Sequence, residues 1–419
     1  MPFPSRLLAL LLLLASPSLA GVPPDTTGAK KAGDAPWFVS QPHGPADTLR
    51  FTVDEGTWIS VDVSPDGETV AFDLLGDLYL LPIEGDSARR LTSGPSYDIQ
   101  PRFSPDGGRV LFTSDRDGGD NLWTIRVDGT DPRPVTADKS HVVNSGEWSP
   151  DGEYVVGRKR LTDASSIGTV ELWVYNLLGG TGVGITKKSE IPDASDPVFS
   201  PDGRWIHFAY RNSRYAYNRN VYQGIWQIQA YDRKTGNLRS LTDGYGGSAR
   251  PRVSPDGKTL AFVRRDRART ILVLHDIATG REHVLFEGLD HDMQENFAWT
   301  GSYPGYDWMP DGKSLVISFG GGIHRVDATT GSERKIPFTA LVEQAVTHAL
   351  RYPVNIAPDR IRVRMVSWPT IDPGGKSLVF AALGRLYRME LPGGVPTPVP
   401  ALGPRSYAPA FTPDGREIA

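Results

Sequence analysis

The sequence contains no cysteine among its 419 residues. This absence excludes a disulfide framework, a lipid-modified N-terminal cysteine and zinc sites built from thiolates. The protein must therefore be stabilised by its own hydrophobic core, and a chain of this length can bury one.

A strong charge of one sign is also missing. The 45 Lys and Arg residues nearly balance the 49 Asp and Glu residues, which gives a formal net charge of −4. A nucleic-acid-binding surface would require a basic stripe, and the sequence has none. We therefore expect no nucleic-acid partner.

Long apolar runs are scarce as well. The longest candidate, residues 7–15, is too short to cross a bilayer, which takes about 20 residues. Arg6 precedes this run and the small-residue site Ser18-Leu19-Ala20 follows it, a pattern typical of a secretory signal peptide at 1–20. We expect a bacterial protein that is exported to the periplasm or the exterior, has no membrane span, and begins with a linker at 21–43.

Glycine and proline, by contrast, are abundant, with 45 and 35 residues, and many of them belong to a repeated Pro-Asp-Gly turn. Proline fixes φ for the turn, aspartate accepts local backbone hydrogen bonds, and glycine supplies the positive φ that closes the hairpin. Well-formed copies begin at Ser64, Ser104, Ser149, Ser200, Ser254 and Met309, a degraded copy begins at Asp372, and a last copy begins at Thr412.

The segments around each turn have the pattern of strands. After the first turn, for example, the apolar runs 69–75 and 77–83 precede a closing stretch at 89–92. No segment of helical length shows a 3.6-residue period. Four short strands per repeat predict an all-β protein built from β-propeller blades. A β-sandwich array is the alternative, although its repeats usually span about 100 residues.

The number of blades follows less directly from the repeat. We favour a six-bladed propeller at 44–335, and a seven-bladed ring that uses the copy at Asp372 is the alternative. Residues 336–365 carry no repeat, so we interpret 336–419 as a connecting segment and the incomplete start of further blades. The last turn is followed by only a few residues, which suggests that this chain is a piece of a longer protein.

The repeat resembles the WD-like repeats of TolB-type propellers and, more distantly, the propellers of tricorn-like proteases and prolyl oligopeptidases. Phrases at 54–83, 90–107, 113–123, 288–299 and 351–365 are similar to secreted bacterial proteins in which such a propeller precedes a metal-dependent amidohydrolase domain. The resemblance implies a parent that hydrolyses C–N bonds and holds a zinc-type divalent metal in a domain beyond residue 419.

The chain itself shows no catalytic motif. A His-x-His metal pair is absent, and the closest histidines, such as His283 and His291, are eight residues apart. No serine has glycine on both sides at the Gly-x-Ser-x-Gly spacing. We therefore assign no catalytic residue, metal ligand or cofactor to this chain, and the residues alone leave its status as an enzyme uncertain.

Two segments are candidates for contact with a protein or peptide partner. Tyrosine and arginine are typical of contact hot spots, and long loops on rigid scaffolds often bind partners. The first segment, an insertion at 211–223, supplies Arg214, Tyr215, Tyr217, Arg219 and Tyr222. The second, at 288–299, supplies His291, Asp292 and Glu295.

Three functions are compatible with these features. The first is a non-catalytic propeller that gates or orients a hydrolase domain of the same parent chain. The second is a free-standing periplasmic TolB-like propeller that binds a protein or peptide, with residues 47–53 as a closing strand. The third is an enzyme whose acidic residues converge at the centre of the ring.

Overall fold

The computed structural model describes Val39 and residues 44–161, 169–186, 191, 193–211, 220–349, 354–400 and 405–419. The predicted signal peptide at 1–20 lies outside these residues, as does the predicted linker apart from Val39. Within them, the chain divides into two compact units, with the division between His348 and Ala349.

The first unit contains six sheets in which the four blade strands pair antiparallel, and in each of them a Pro-Asp-Gly turn follows the innermost strand. The first sheet has six strands: β1 (Ala46–Val53), β2 (Val61–Val63), β3 (Thr69–Leu74), β4 (Asp77–Pro82), β5 (Asp86–Arg90) and β26 (Phe338–Thr347). The second sheet comprises β6 (Asp98–Phe103), β7 (Arg109–Ser114), β8 (Asn121–Arg126) and β9 (Arg133–Pro134). The third comprises β10 (Val142–Trp148), β11 (Tyr154–Leu161), β12 (Thr169–Asn176) and β13 (Val183–Gly184).

The remaining sheets of this unit have four strands each. The fourth comprises β14 (Ala194–Phe199), β15 (Trp205–Arg211), β16 (Trp226–Asp232) and β17 (Leu238–Ser240), with a 3₁₀ helix at Val221–Gln223. The fifth comprises β18 (Ala249–Val253), β19 (Thr259–Asp266), β20 (Arg269–Asp276) and β21 (Glu282–Leu289). The sixth comprises β22 (Asp307–Trp308), β23 (Ser314–Phe319), β24 (Gly322–Asp327) and β25 (Glu333–Ile336).

The six sheets form a closed ring. The innermost strands β2, β6, β10, β14, β18 and β22 contact one another in that order, and β22 contacts β2. The prediction of an all-β propeller with four-stranded blades is therefore confirmed, with six blades among the described residues of this unit.

Aromatic side chains on the second strands fill the spaces between blades. Phe72, Phe112, Phe208 and Phe262 lie at matching positions in four blades and are fully buried. Burial of each such side chain contributes roughly 1.5–3 kcal/mol, so the repeat provides its own core at every blade interface.

Two extra strands lie outside the first blade. β26 follows the sixth blade and pairs with β5 in parallel, and β1 pairs with β26 antiparallel along its length. The segment 47–53 that we considered as a closing strand thus lies at the outer edge of this sheet. The compact unit extends to His348, beyond the boundary predicted at residue 335.

The second unit contains one further blade, formed by β27 (Ser367–Ile371), β28 (Ser377–Ala382), β29 (Arg385–Glu390) and β30 (Thr397–Pro398). The last Pro-Asp-Gly turn follows it, flanked by a single antiparallel bridge between Phe411 and Ile418. None of the helices in the described residues is long and apolar enough to cross a membrane.

Candidate functional site

The axis of the first ring is occupied by charged side chains. Two positions before the first residue of each turn, the six blades supply Asp62, Arg102, Glu147, Val198, Arg252 and Asp307. Five of these six side chains are charged, and they lie on the innermost strands or directly beside them. The repeat therefore brings opposite charges together at one level of the axis.

These charges pair both between neighbouring blades and across the ring. Arg102 lies 3.0 Å from Asp62 and 3.3 Å from Glu147. Arg252 lies 3.5 Å from Asp62 and 3.7 Å from Asp307, and it also pairs directly with Glu147. The space left beside these side chains is about 10 Å³, room for about one water molecule. The axis is therefore not an open channel at this level.

Burial has opposite outcomes for Asp62 and Arg252 in this network. Burial, together with Asp307, raises the pKa of Asp62 well above its usual range. Burial also opposes the charge of Arg252, but Glu147, Asp307 and Asp62 outweigh it and raise the pKa of Arg252. Arg252 thus remains charged, while Asp62 holds a proton to a higher pH than an ordinary aspartate. Burial lowers the pKa of Arg102.

One mouth of the ring is crossed by residues 290–306, which we call the cap segment. It connects the fifth blade to the sixth, and its backbone carbonyls accept hydrogen bonds from side chains of other blades. Gln100 donates to Thr300 at 2.8 Å, and Arg158 donates to Ala298 at 2.9 Å. The backbone carbonyl of Gly305 accepts from the amide of the first blade's Val61 at 2.9 Å.

Arginines at the ends of the second strands hold the cap segment in place. Arg160, Arg211 and Arg265 each lie eleven positions after the first residue of a turn, in three consecutive blades. The Arg265 guanidinium contacts both carboxylate oxygens of Asp292 at 2.8 Å, while Arg211 donates to the Asn296 carbonyl at 3.0 Å. Such charge-assisted contacts fix both position and orientation.

The outer side of the cap segment carries aromatic rings. The Arg160 guanidinium lies 3.9 Å from the ring centroid of Phe297 and 4.5 Å from that of Trp299. Trp299 also donates its indole N–H to Asp120 of the second blade at 3.2 Å, although 45% of its surface remains exposed. An exposed, well-anchored tryptophan is the kind of side chain that serves in protein recognition.

Packing leaves no spare room where the cap segment approaches the axis. A Cβ atom on Gly305 would lie 2.8 Å from Arg102 Nη2 and 3.0 Å from Arg250 Nη2. Glycine at this position therefore allows the cap segment to pass directly over Arg102 and Arg250.

Four of the five residues predicted at the first candidate segment lie outside the part of the chain that the structure describes. These are Arg214, Tyr215, Tyr217 and Arg219. Tyr222 is described: it is 53% exposed and stacks on Tyr245, with 5.2 Å between the ring centroids. A role for these five residues in partner binding stays a prediction.

The residues predicted at the second candidate segment belong to the cap segment but have different environments. Asp292 is fully buried against Arg265 and accepts a hydrogen bond from Thr270 at 2.7 Å. Its carboxylate therefore anchors the cap segment and faces away from solvent. His291 and Glu295 are exposed, and both contact the Arg265 guanidinium, at 3.3 Å and 3.2 Å. A role for these three residues in partner binding stays a prediction.

The cap's arginine anchors were not among the sequence-derived site residues. The signal was present in the sequence as a basic residue at one fixed distance from the turn in three consecutive blades. A single Arg in a strand carries no such information, because the pattern appears only when the repeats are aligned. Within the described residues, no group of three or more His, Asp and Glu side chains is placed to hold a metal ion.

Comparison with known proteins identifies the same fold. Residues 51–170 match the family described as the TolB β-propeller domain. The chain is 28% identical over 193 residues to the Tol-Pal system protein TolB of Helicobacter hepaticus, covering 42% of this chain and 45% of that protein. It is 30% identical over 172 residues to the uncharacterised peptidase YuxL of Bacillus subtilis, covering 41% and 22%.

The solved structure of TolB from Acinetobacter baumannii superimposes with a TM-score of 0.51 at 18% identity, covering 69% of this chain and 66% of that one. The two sequence alignments span less than half the length of either relative. The family match, the relatives and the fold agree, and this chain contains a TolB-like β-propeller.

Proposed function

We propose that this chain is the non-catalytic propeller region of an exported, periplasmic, metal-dependent amidohydrolase, and that it orients a hydrolase domain beyond residue 419. The filled axis is the observation that carries this proposal. Its buried ion pairs and the cap segment over one mouth make the first ring a rigid body, without an open central passage or a converging catalytic set among the described residues.

In this proposal, the propeller acts by holding the hydrolase domain in a fixed position. A closed ring with paired charges on its axis changes shape little, so an attached domain would be held at a fixed orientation. Gating through the axis would require the Arg252 and Arg102 pairs to open, and breaking such buried pairs is costly. Orientation is thus favoured over axial gating.

Two further observations support the hydrolase part of the proposal. Five phrases of the sequence are similar to proteins in which a TolB-like propeller precedes an amidohydrolase domain. The alignment with the relative named as a peptidase covers only 22% of that protein, so a segment related to this chain occurs in a longer protein with that name. The described residues do not fit a metal site, and we assign the divalent metal to the proposed hydrolase domain.

The test is to express the whole reading frame that contains this chain, the 1–419 chain alone, and the reading frame without residues 44–348. Each product is assayed for amine release from N-acyl amino acids and dipeptides, with and without a metal chelator. We expect chelator-sensitive hydrolysis by the whole product, none by 1–419, and a lower rate at unchanged metal content when the ring is removed.

Two results would contradict the proposal. One is hydrolysis by the 1–419 chain itself, which would place the active site within the propeller. The other is a reading frame that encodes no hydrolase domain, which would favour a free-standing propeller that binds a protein or peptide partner.

A further inference from the structure

Neighbouring turns of the first ring all make the same type of contact. Each turn glycine lies against the proline of the preceding turn. A Cβ atom on Gly107 would lie 3.6 Å from Pro65 Cδ, and one on Gly257 would lie 3.7 Å from Pro201 Cδ. The corresponding distances are 4.0 Å for Gly152 and Pro105, 3.8 Å for Gly203 and Pro150, and 3.8 Å for Gly312 and Pro255.

The same contact closes the ring. Gly67 of the first turn would place its Cβ 3.4 Å from Pro310 Cδ of the sixth turn. In a complete ring, the first blade therefore receives its proline from the last blade. All six turn glycines of this unit have such a partner.

The second unit repeats this contact once. A Cβ on Gly415 would lie 3.1 Å from Pro373 Cδ. At the other end of the inner strand, the Ser406 amide donates to the Gly384 carbonyl at 3.0 Å, just as Asp98 donates to Gly76 at 2.8 Å between the first two blades. Residues 405–419 thus occupy the position of the next blade in a ring.

The opposite side of the blade at 367–398 is uncovered in the described residues. A Cβ on Gly375 would meet nothing within 4 Å. Trp368 is 55% exposed, whereas Gln100, Asp196 and Arg250, which lie at the same position of three blades in the first ring, are 4–5% exposed. Gly375 marks the side that a preceding blade contacts in the first ring. Trp368 lies on the innermost strand, where its ring centroid is 5.9 Å from that of Tyr407 in residues 405–419, and the matching residues of the closed first ring are buried.

We propose that the blade at 367–398 is the first blade of a second propeller ring, closed by a last blade encoded further along the same reading frame. That last blade carries a Pro-Asp-Gly turn, its proline lies against Gly375, and closure of the ring buries Trp368, as it buries Gln100, Asp196 and Arg250 in the first ring. This inference shares one element with the proposed function, namely that the reading frame continues beyond residue 419. It does not require a hydrolase domain.

Residue-specific oxidation tests the proposal. The product of the whole reading frame and the 1–419 chain are exposed to hydroxyl radicals, and oxidation of each aromatic residue is measured by mass spectrometry. We expect the rate at Trp368 to fall at least fivefold in the whole product. Tyr97, which is 56% exposed in the first unit and lies outside the cap segment, is the control and keeps its rate.

Three results would overturn the proposal. The first is an equal oxidation rate at Trp368 in both products. The second is a reading frame with no further Pro-Asp-Gly turn. The third is protection of Trp368 that rises with the concentration of the 1–419 chain, because this would identify a second copy as the occupant. Each of these is independent of hydrolase activity.

Discussion

The two faces of the first ring are constructed in different ways. The turn face consists of six copies of one hairpin, each resting on its neighbour through the same glycine–proline contact. The mouth face is crossed by one unique connection, the cap segment, whose contacts differ at every blade. The turn face therefore consists of equivalent contacts that recur in every blade. On the mouth face, each residue of the cap segment makes a contact that occurs once.

Arg265 offers the strongest test of this difference. The Arg265→Ala variant leaves the buried carboxylate of Asp292 without its charged partner, so we expect the free energy of unfolding to fall by about 3–5 kcal/mol. The matched control is Arg269→Ala, because Arg269 is exposed and pairs with the exposed Glu287. This control should change stability by less than about 0.5 kcal/mol. Urea denaturation measures both, and equal losses would show that the cap segment is not held as described.

The close approach of the cap segment to the axis provides the next test. Gly305→Ala places a methyl group against Arg102 and Arg250, and we expect a loss of about 1–3 kcal/mol. Gly119→Ala is the control, since a Cβ there meets nothing within 4 Å and neither glycine has a positive φ. If thermal unfolding shows the same loss of stability for both variants, the cap segment can move away from the added methyl group at little cost.

Stability should also depend on pH through Asp77, at the mouth-face end of β4. Burial, aided by Asp98 and opposed by Arg90, raises the pKa of Asp77 to about 7. The folded state then retains a proton that the unfolded chain loses near pH 4. The contribution is complete below that pH and is lost as the pH rises toward 7.

The variant Asp77→Asn isolates this contribution. Its side-chain oxygen can still accept from Arg90 and Gln344, which both contact Asp77 Oδ2 at 2.8 Å. We expect the stability of the wild type relative to this variant to decline between pH 4.5 and 7.5 in urea titrations. A difference that is constant across this range would contradict the assignment.

The smallest effects are expected on the turn face. Pro105→Ala and Pro201→Ala each free one φ angle of the unfolded chain and remove one proline contact, so each should cost no more than about 1 kcal/mol. Because the two turns are equivalent, their losses should match. If chemical denaturation gives losses of unfolding free energy that differ by more than about 1 kcal/mol between the two variants, the two turns are not energetically equivalent.

The sequence predicted the turn face and the blades well, because the same residue types recur at each hairpin. Phe112 and Phe262, for example, could be placed in the core from the repeat alone. The cap segment could not be derived in the same way. Asp292 was a reasonable candidate for partner contact in the sequence, yet its partner Arg265 precedes it by 27 residues and buries it fully. A contact that forms only once in the fold produces no repeated pattern in the sequence, so it cannot be predicted from the repeat.

The axial network lies between these two cases. The sequence shows Asp62, Arg102, Glu147 and Arg252 at one repeat position, so their common level on the axis was predictable. Their pairing across the ring depends on which blades face each other, and this follows only from the number of blades.

The pairing of β1 with β26 has a consequence for the way such a ring can be exchanged between genes. Ala46 and Thr347 are directly opposed in this pair, and opposed Cα atoms of antiparallel strands are about 5 Å apart. The chain enters and leaves the ring at almost the same point. The first ring can therefore be inserted into a host protein, or removed from it, as one unit. Because its two ends are close together, the distance between the flanking segments of the host hardly changes.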